Sequence, residues 1–373
     1  MRGKPMWRAV LMAALVVTLG IPVSILPTPA RQGQEGPQQP PAQEQAPPPP
    51  PQNQGNQQPP PKQAPPSEPQ SAISVQSSLV DVDAVVTDSE GDVVTGLKRE
   101  NFRVFDDGQP QQITNFSPTD AQLTLVILME YSDAYWGYYQ GYFGYKAQAW
   151  ADGFLSHLKP QDWVALKTFD LRTTLQVDFT QDKREVDQAI RTLGFPTFHE
   201  ADLFDALYET LNQMRDVKGK KSILILATGF DTLSRHTLDQ MLNRLKETEV
   251  TIFCVGMGEE IDLYGRGNDI GYLQAKNQLN TFAHMTGGYA FFPRFAAEMP
   301  DIFNSVSEFL RSQYTFGFTP TTPQDGKYHK ITVNVVDDQG NPLELVNRKN
   351  KKKKVQVVAR EGYVAPNPGP AAD

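Results

Sequence analysis

The sequence predicts an α/β fold: a doubly wound, mostly parallel sheet, with a small accessory β-sandwich built from the strands that flank it. Three observations carry this expectation. Leu123–Met129 has six apolar residues in seven, right for a strand buried on both faces and too short to cross a membrane. Ser222–Ala227 repeats the design, and strand-like and helix-like runs alternate around the two. Outside this block, short runs alternate apolar and polar residues, as half-buried strands do.

The N-terminus reads as an export signal. Arg2, Lys4 and Arg8 precede the apolar run Ala9–Leu26, and Thr28-Pro-Ala30 is a small-residue cleavage site. Gly20 and Pro22 favour cleavage over anchoring; if the segment stays attached, it gives membrane association. Either outcome puts the rest outside the cytoplasm: periplasmic, secreted or membrane-anchored. Residues 31–71 are almost entirely Pro, Gln, Gly, Ala and Glu. With no apolar side chains to offset ordering entropy, they form a semi-rigid spacer rather than a core.

The expected organisation follows: residues 1–30 signal or anchor, 31–71 spacer, 72–118 N-terminal β segment, 119–312 α/β domain, 313–366 C-terminal β segment, 367–373 tail. In the N-terminal segment Val80, Val82, Ala84 and Val86 alternate with polar partners. Phe102–Phe105 is a strand, Asp107-Gly108 a hairpin turn, and Gln112–Phe116 the returning strand. The C-terminal segment alternates at Tyr314, Phe316 and Phe318, at Ile331, Val333 and Val335, and at Val355, Val357 and Ala359. Between them, strands are expected at 163–169, 174–179, 250–255 and 289–292. Helices are expected at 146–158, 183–193, 202–215, 238–248, 272–285 and 297–311.

Each core strand opens into small polar residues: Glu130, Ser132 and Asp133 after the first, Thr228, Gly229 and Asp231 after the second. The two edges should lie side by side, where open α/β sheets bind ligands. The order strand–acidic–x–Ser, the helix start Leu203-Phe-Asp-Ala-Leu207 and Ile225-Leu-Ala-Thr-Gly-Phe-Asp-Thr232 resembles the von Willebrand factor A (vWA) domain. The flanks Asn101–Gly108, Arg311–Pro320 and Ala359–Pro366 look like those of vWFA-related proteins abundant in Acidobacteria. The resemblance implies a vWA, Rossmann-like core and a non-catalytic binding role.

The resemblance also implies a Mg²⁺ or Mn²⁺ site: Asp-x-Ser-x-Ser after the first strand, a Thr from a second loop and an Asp after a later strand. On this sequence those positions are Glu130, Ser132, Ala134, Ala201 and Thr228. Two hydroxyls have become methyls and one carboxylate a neutral Thr, so the metal site is expected to be degenerate and no cofactor is expected. Mg²⁺ or Mn²⁺ would bind only if Asp133, Asp202 or Asp231 rebuilt the site.

After Ala134 come Tyr135, Trp136, Tyr138, Tyr139, Tyr142, Phe143 and Tyr145, seven aromatics in eleven residues with three glycines. One or two such rings can pack beneath a sheet rim; all of them cannot easily be buried in a glycine-rich loop. The run is the expected contact surface for a protein, peptide or glycan.

Other features read more plainly. A net charge of −8 argues against nucleic-acid binding. Cys254, the lone cysteine, lies in an apolar run and reads as a buried thiol. The basic run Arg348–Lys354 reads as a solvated hairpin loop, and Gly256-Met-Gly258 as an ordinary turn. His157, His199, His236, His284 and His329 show no ligand spacing and read as surface or satisfied positions. No nucleophile motif is present. The expected function is therefore an exported, non-enzymatic binding or adhesion protein. Two alternatives are weighed beside it: a metal-assisted hydrolase at the same edge, and a purely structural cell-envelope component.

Overall fold

The core strand Leu123–Glu130 (β5) lies in the middle of a six-stranded sheet, and every one of its residues is buried. The computed structural model describes residues 79–89, 91–117, 121–132, 153–194, 196, 198–256, 270–346 and 352–367, all within the unit Pro60–Asp373. The N-terminal segment, the spacer, Asp133, Ala134 and the aromatic run 135–145 lie outside the described residues.

The partners of β5 are Trp163–Phe169 (β6) on one side and Lys220–Ala227 (β8) on the other, both parallel to it. Thr251–Gly256 (β9) and the short Ala290–Phe291 (β10) extend the parallel set beyond β8. Thr173–Thr180 (β7) closes the opposite edge antiparallel to β6. Strand order is β10-β9-β8-β5-β6-β7, so the chain leaves β5 in one direction and later returns to its other side. The crevice between β5 and β8 is thus the point where the order reverses.

Alternate residues of β5 enter two different cores, as the two-residue strand period requires. Val126 and Leu128 pack with helices Leu203–Gln213 (α2), Leu238–Lys246 (α3) and Ile270–Met285 (α4). Leu123, Leu125 and Ile127 pack instead with residues 153–158, Lys183–Thr192 (α1) and Met299–Ser312 (α5). Much of the helix expected at 146–158 lies outside the described residues. Cys254 is fully buried, and burial pushes its thiol pKa up.

The flanking segments pair with each other. Val80–Asp88 (β1) lies between Tyr314–Phe318 (β11) and Lys352–Ala359 (β14), both antiparallel to it. Phe102–Asp106 (β2) pairs with Tyr328–Val335 (β12), which also pairs with Gly362–Val364 (β15). Val82, Val86, Phe102, Phe316 and Ile331 belong to one core shared by both sheets. The alternation expected of β1 stops at Ala84, after which every residue is buried. Its other face carries Asp83, which accepts a hydrogen bond from Thr251 of β9 at 3.3 Å.

The turn after β2 is as expected: Asp107 has φ 47° and Gly108 φ 81°, the paired positive values of a tight hairpin. The single returning strand is not. Gln109–Gln111 (β3) pairs with β2, whereas Ile113–Ser117 (β4) pairs with β11 in the other sheet. The chain crosses between sheets at Gln112, so one apparent strand serves two. The basic run also differs from a free loop. Lys352–Lys354 lie in β14 opposite Glu344–Val346 (β13), and Lys353 contacts buried Asp88 at 2.5 Å.

Because β1 takes both neighbours from the C-terminal segment, deleting Tyr328–Pro366 should expose one face and one edge of it. The expected outcome is loss of the cooperative thermal transition and rapid proteolysis within residues 79–117. Retention of the full-length melting temperature would refute this dependence.

Candidate functional site

At the C-terminal ends of β5 and β8 one side chain dominates. Glu130 is the last residue of β5 and only 3% exposed. Its Oε1 accepts a hydrogen bond from the Ser132 hydroxyl at 2.8 Å. Its Oε2 accepts two more, from the Thr228 backbone N–H and the Thr228 hydroxyl, each at 2.8 Å. The two edges therefore meet as expected, with Glu130 bridging the crevice. The next residue holds the loop in place. Gly229 has φ +86°, and a Cβ there would stand 2.7 Å from the Ala275 carbonyl oxygen, so only glycine fits.

Burial disfavours the Glu130 charge and raises its pKa, while the hydrogen bonds from Thr228 and Ser132 oppose that rise. Among the described residues no basic side chain contacts it. The carboxyl group is held by neutral donors.

A second set of contacts joins the loop before α2 to the loop after β8. Asp231 Oδ1 accepts from the Phe204 N–H at 2.9 Å and the Ser234 hydroxyl at 2.6 Å, which caps the start of α2. Ala201 donates its N–H to Thr232 Oγ1 at 2.9 Å, so its backbone rather than its methyl group makes the contact. Asp202 is half-buried, and its Oδ1 has no hydrogen-bond partner. Desolvation and the neighbouring charges of Asp231 and Asp205 raise its pKa.

Beside this loop pair opens a cleft of about 670 Å³ whose lining includes Asp202, Asp205, Tyr208, Leu233, Arg235 and His236. Burial works against the charge of Asp205. Hydrogen bonds from the backbone N–H groups of His236 and Arg235, and from both side chains, outweigh it and lower the pKa to about 2. His236 lies flat on Tyr208, ring centroids 3.9 Å apart, with Nδ1 2.5 Å from Asp205 Oδ1. The Arg235 side chain is 91% exposed.

Of the residues singled out in the sequence, the structure joins Glu130, Ser132 and Thr228 directly. Ala201, Asp202 and Asp231 group one loop away, and Asp133 lies outside the described residues. Asp205, Tyr208, Arg235 and His236 are not among the site residues the sequence predicts, which reads His236 as a surface or satisfied position. Their only sequence signal was their position in the helix and loop bordering the same edge.

Residues 126–305 match the von Willebrand factor type A domain. No curated protein matches the chain. Among solved structures, it is similar to the mussel byssus proximal thread matrix protein 1, at 13% identity and TM-score 0.41, over 51% of this chain and 48% of that one. It thus spans about half the length of the mussel protein. It is also similar to a von Willebrand factor type A protein from Catenulispora acidiphila, at 10% identity and TM-score 0.41, over 78% of this chain and 75% of that one. A third likeness is to the vWF domain of the pilus tip protein Mfa5 from Porphyromonas gingivalis, at 13% identity and TM-score 0.40, over 51% and 95% of the two chains.

The vWA match raises the family's Mg²⁺ or Mn²⁺ site, and the donors among the described residues do not fit one. Such an ion wants several oxygens converging, with carboxylate charge to offset its own. Glu130, Ser132 and Thr228 supply one carboxylate and two hydroxyls, and both carboxylate oxygens already accept from those hydroxyls. Among the described residues, Glu130, Asp202 and Asp231 do not bring three ligand atoms within one ion's reach.

The raised pKa of Glu130 has a signed consequence. The folded protein keeps this proton to a higher pH than the unfolded chain, whose carboxyl titrates near 4.5. Its stabilising contribution is present in full below that value and is lost as pH rises through the folded pKa. The melting-temperature difference between the natural protein and Glu130→Gln should therefore fall as pH rises from about 4 to about 8. Calorimetry across that range checks it; a constant difference would refute the assignment.

Proposed function

We propose that this chain is an exported, non-catalytic vWA-type binding protein that engages a protein, peptide or glycan at the C-terminal edge of its sheet, without a metal ion. The observation that carries this reading is the state of Glu130. Hydrolysis at this edge would need a group free to activate water, and among the described residues the carboxylate that spans the crevice, Glu130, is buried with both oxygens occupied. Glu130 itself takes over the task of joining the β5 and β8 loops.

The surroundings suit recognition. Phe230 and Leu233, on the loop after β8, are 37% and 61% exposed, and exposed Arg235 stands beside the acids of the cleft. Apolar anchors beside an arginine are a common basis of protein contacts. The aromatic run Tyr135–Tyr145 follows Ser132 by only a few residues of chain, and its aromatic composition suits the same kind of partner. The signal segment and proline-rich spacer supply export and reach, and the localisation is extracytoplasmic. Likeness of the flanks to the vWFA-related proteins of Acidobacteria belongs to the same reading.

The test is affinity capture from the native envelope with the intact chain and with a double variant, Phe230→Ala and Leu233→Ala. A third chain carries a Gly/Ser linker in place of Tyr135–Tyr145. Specific partners should be retained by the intact chain in EDTA and lost with both altered chains. Partners that persist with all three would favour the purely structural reading, and partners released by EDTA would restore the metal.

A further inference from the structure

The β segments hold a second polar cluster, far in sequence from the vWA edge. Asp106 ends β2, Asp107 occupies the next turn position, and His329 lies on β12 two residues before Ile331, the partner of Asp106. Asp106 is fully buried and His329 is 5% exposed. The Tyr363 and Thr322 hydroxyls, at 2.8 and 2.5 Å, both donate to Asp106 Oδ2. Its Oδ1 has no hydrogen-bond partner, and neither has His329 Nδ1, 3.6 Å away. Asp107 Oδ2 approaches that nitrogen to 3.0 Å, but off the angle a hydrogen bond requires. One ligand atom from each of Asp106, Asp107 and His329 lies within 4.8 Å of the other two.

The far side of the imidazole offers Nε2 an acceptor. Nε2 stands 3.1 Å from Asp325 Oδ1, itself positioned by the Lys327 N–H at 2.9 Å. Donation from Nε2 leaves the lone pair on Nδ1, facing the unpartnered Asp106 Oδ1 and the solvent-exposed Asp107 Oδ2. A carboxylate behind the imidazole is how proteins orient a histidine that ligates a metal. The Tyr363 ring packs 27° from parallel to the His329 ring, centroids 5.5 Å apart, and fixes its plane. The plainer reading is an imidazolium paired with acids. That would need Nδ1–H aligned with an oxygen, and neither carboxylate is so placed. Among the described residues no lysine or arginine side chain pairs with Asp106 or Asp107. The structure thus differs from the expectation that His329 is a surface or satisfied residue: it is buried and half satisfied.

We propose that Asp106 Oδ1, Asp107 Oδ2 and His329 Nδ1 form a three-ligand site for a divalent transition ion, with Zn²⁺ the best match. Ligands about 2.0–2.2 Å from a tetrahedral zinc ion stand roughly 3.3–3.5 Å apart, and the observed 3.0 and 3.6 Å bracket that separation. One imidazole with two carboxylates favours Zn²⁺ over Mg²⁺. Asp107 is exposed, so an ion has a path in from solvent and a fourth position open to water. Binding would clamp the β2–β3 turn to β12.

The full chain, stripped with EDTA and dialysed, is titrated with Zn²⁺ by calorimetry and thermal unfolding. A saturable isotherm at a single ion per chain is expected, with a rise in melting temperature that EDTA reverses. Mg²⁺ at the same concentration should give neither. His329→Ala should abolish binding. Asp107→Asn settles the matter if that variant fails to fold, since asparagine tolerates positive φ and still accepts the Lys330 N–H. It should weaken Zn²⁺ at least about tenfold, because one of the three anchoring ligands loses its charge. Absence of saturable binding would overturn the proposal. So would a Zn²⁺ signal kept by Asp107→Asn and lost in Glu130→Gln, which would put the ion at the vWA edge.

Discussion

The burial of β5 on both faces is the constraint from which the rest of the six-stranded sheet and its helices follows. Its side chains alternate between two separate cores, so the strand cannot shift register without emptying both. Glu130, its last residue, is drawn into the interior with it. A carboxylate in that position must be matched by donors, and the chain supplies them from Ser132, two residues on, and Thr228, at the end of the adjacent strand. Placing a Glu there in turn fixes the β8 loop, because Thr228 gives it both an N–H and a hydroxyl.

The two ends of the sheet are built differently. At the N-terminal end Asp162, fully buried, accepts from the Leu123 N–H at 3.0 Å and the Lys159 N–H at 2.7 Å and pairs with Arg311. The chain enters β5 from β4 and leaves α5 into β11 there, so both connections to the flanking β strands cross this end. The C-terminal end has loop-to-loop contacts instead, through Asp231, Thr232 and Asp205, and it borders an open cleft. One end anchors the flanking strands, and the other borders an open cleft.

Much of this was legible in the sequence because it is local. The apolar runs 123–129 and 222–227 specify buried strands wherever they sit, and Asp107-Gly108 specifies its turn through backbone conformation alone. The adjacency of Glu130 and Thr228 also followed, since strands of this class open on one edge. What could not be read depends on register between distant strands. Nothing near Gln112 signals that β3 and β4 join different sheets. Lys353 looked solvated because its partner, Asp88, lies 265 residues away. Spacing along the chain gives no sign of His329, which meets Asp106 across a β ladder.

The buried acids show how sharply these environments differ. Four Asp and Glu residues are buried among the described residues: Asp88, Asp106, Glu130 and Asp162. Asp88 has Lys353 on one oxygen and the Asp92 N–H on the other. Asp162 has Arg311 and two backbone N–H groups, and Glu130 has three neutral donors spread over both oxygens. Each satisfies both oxygens, as burial demands. Asp106 alone of the four concentrates its donors on one oxygen and turns the other toward a histidine nitrogen that is also unpartnered. Two facing acceptors with no donor between them repel unless something positive stands there, and a cation coordinated by both removes the conflict.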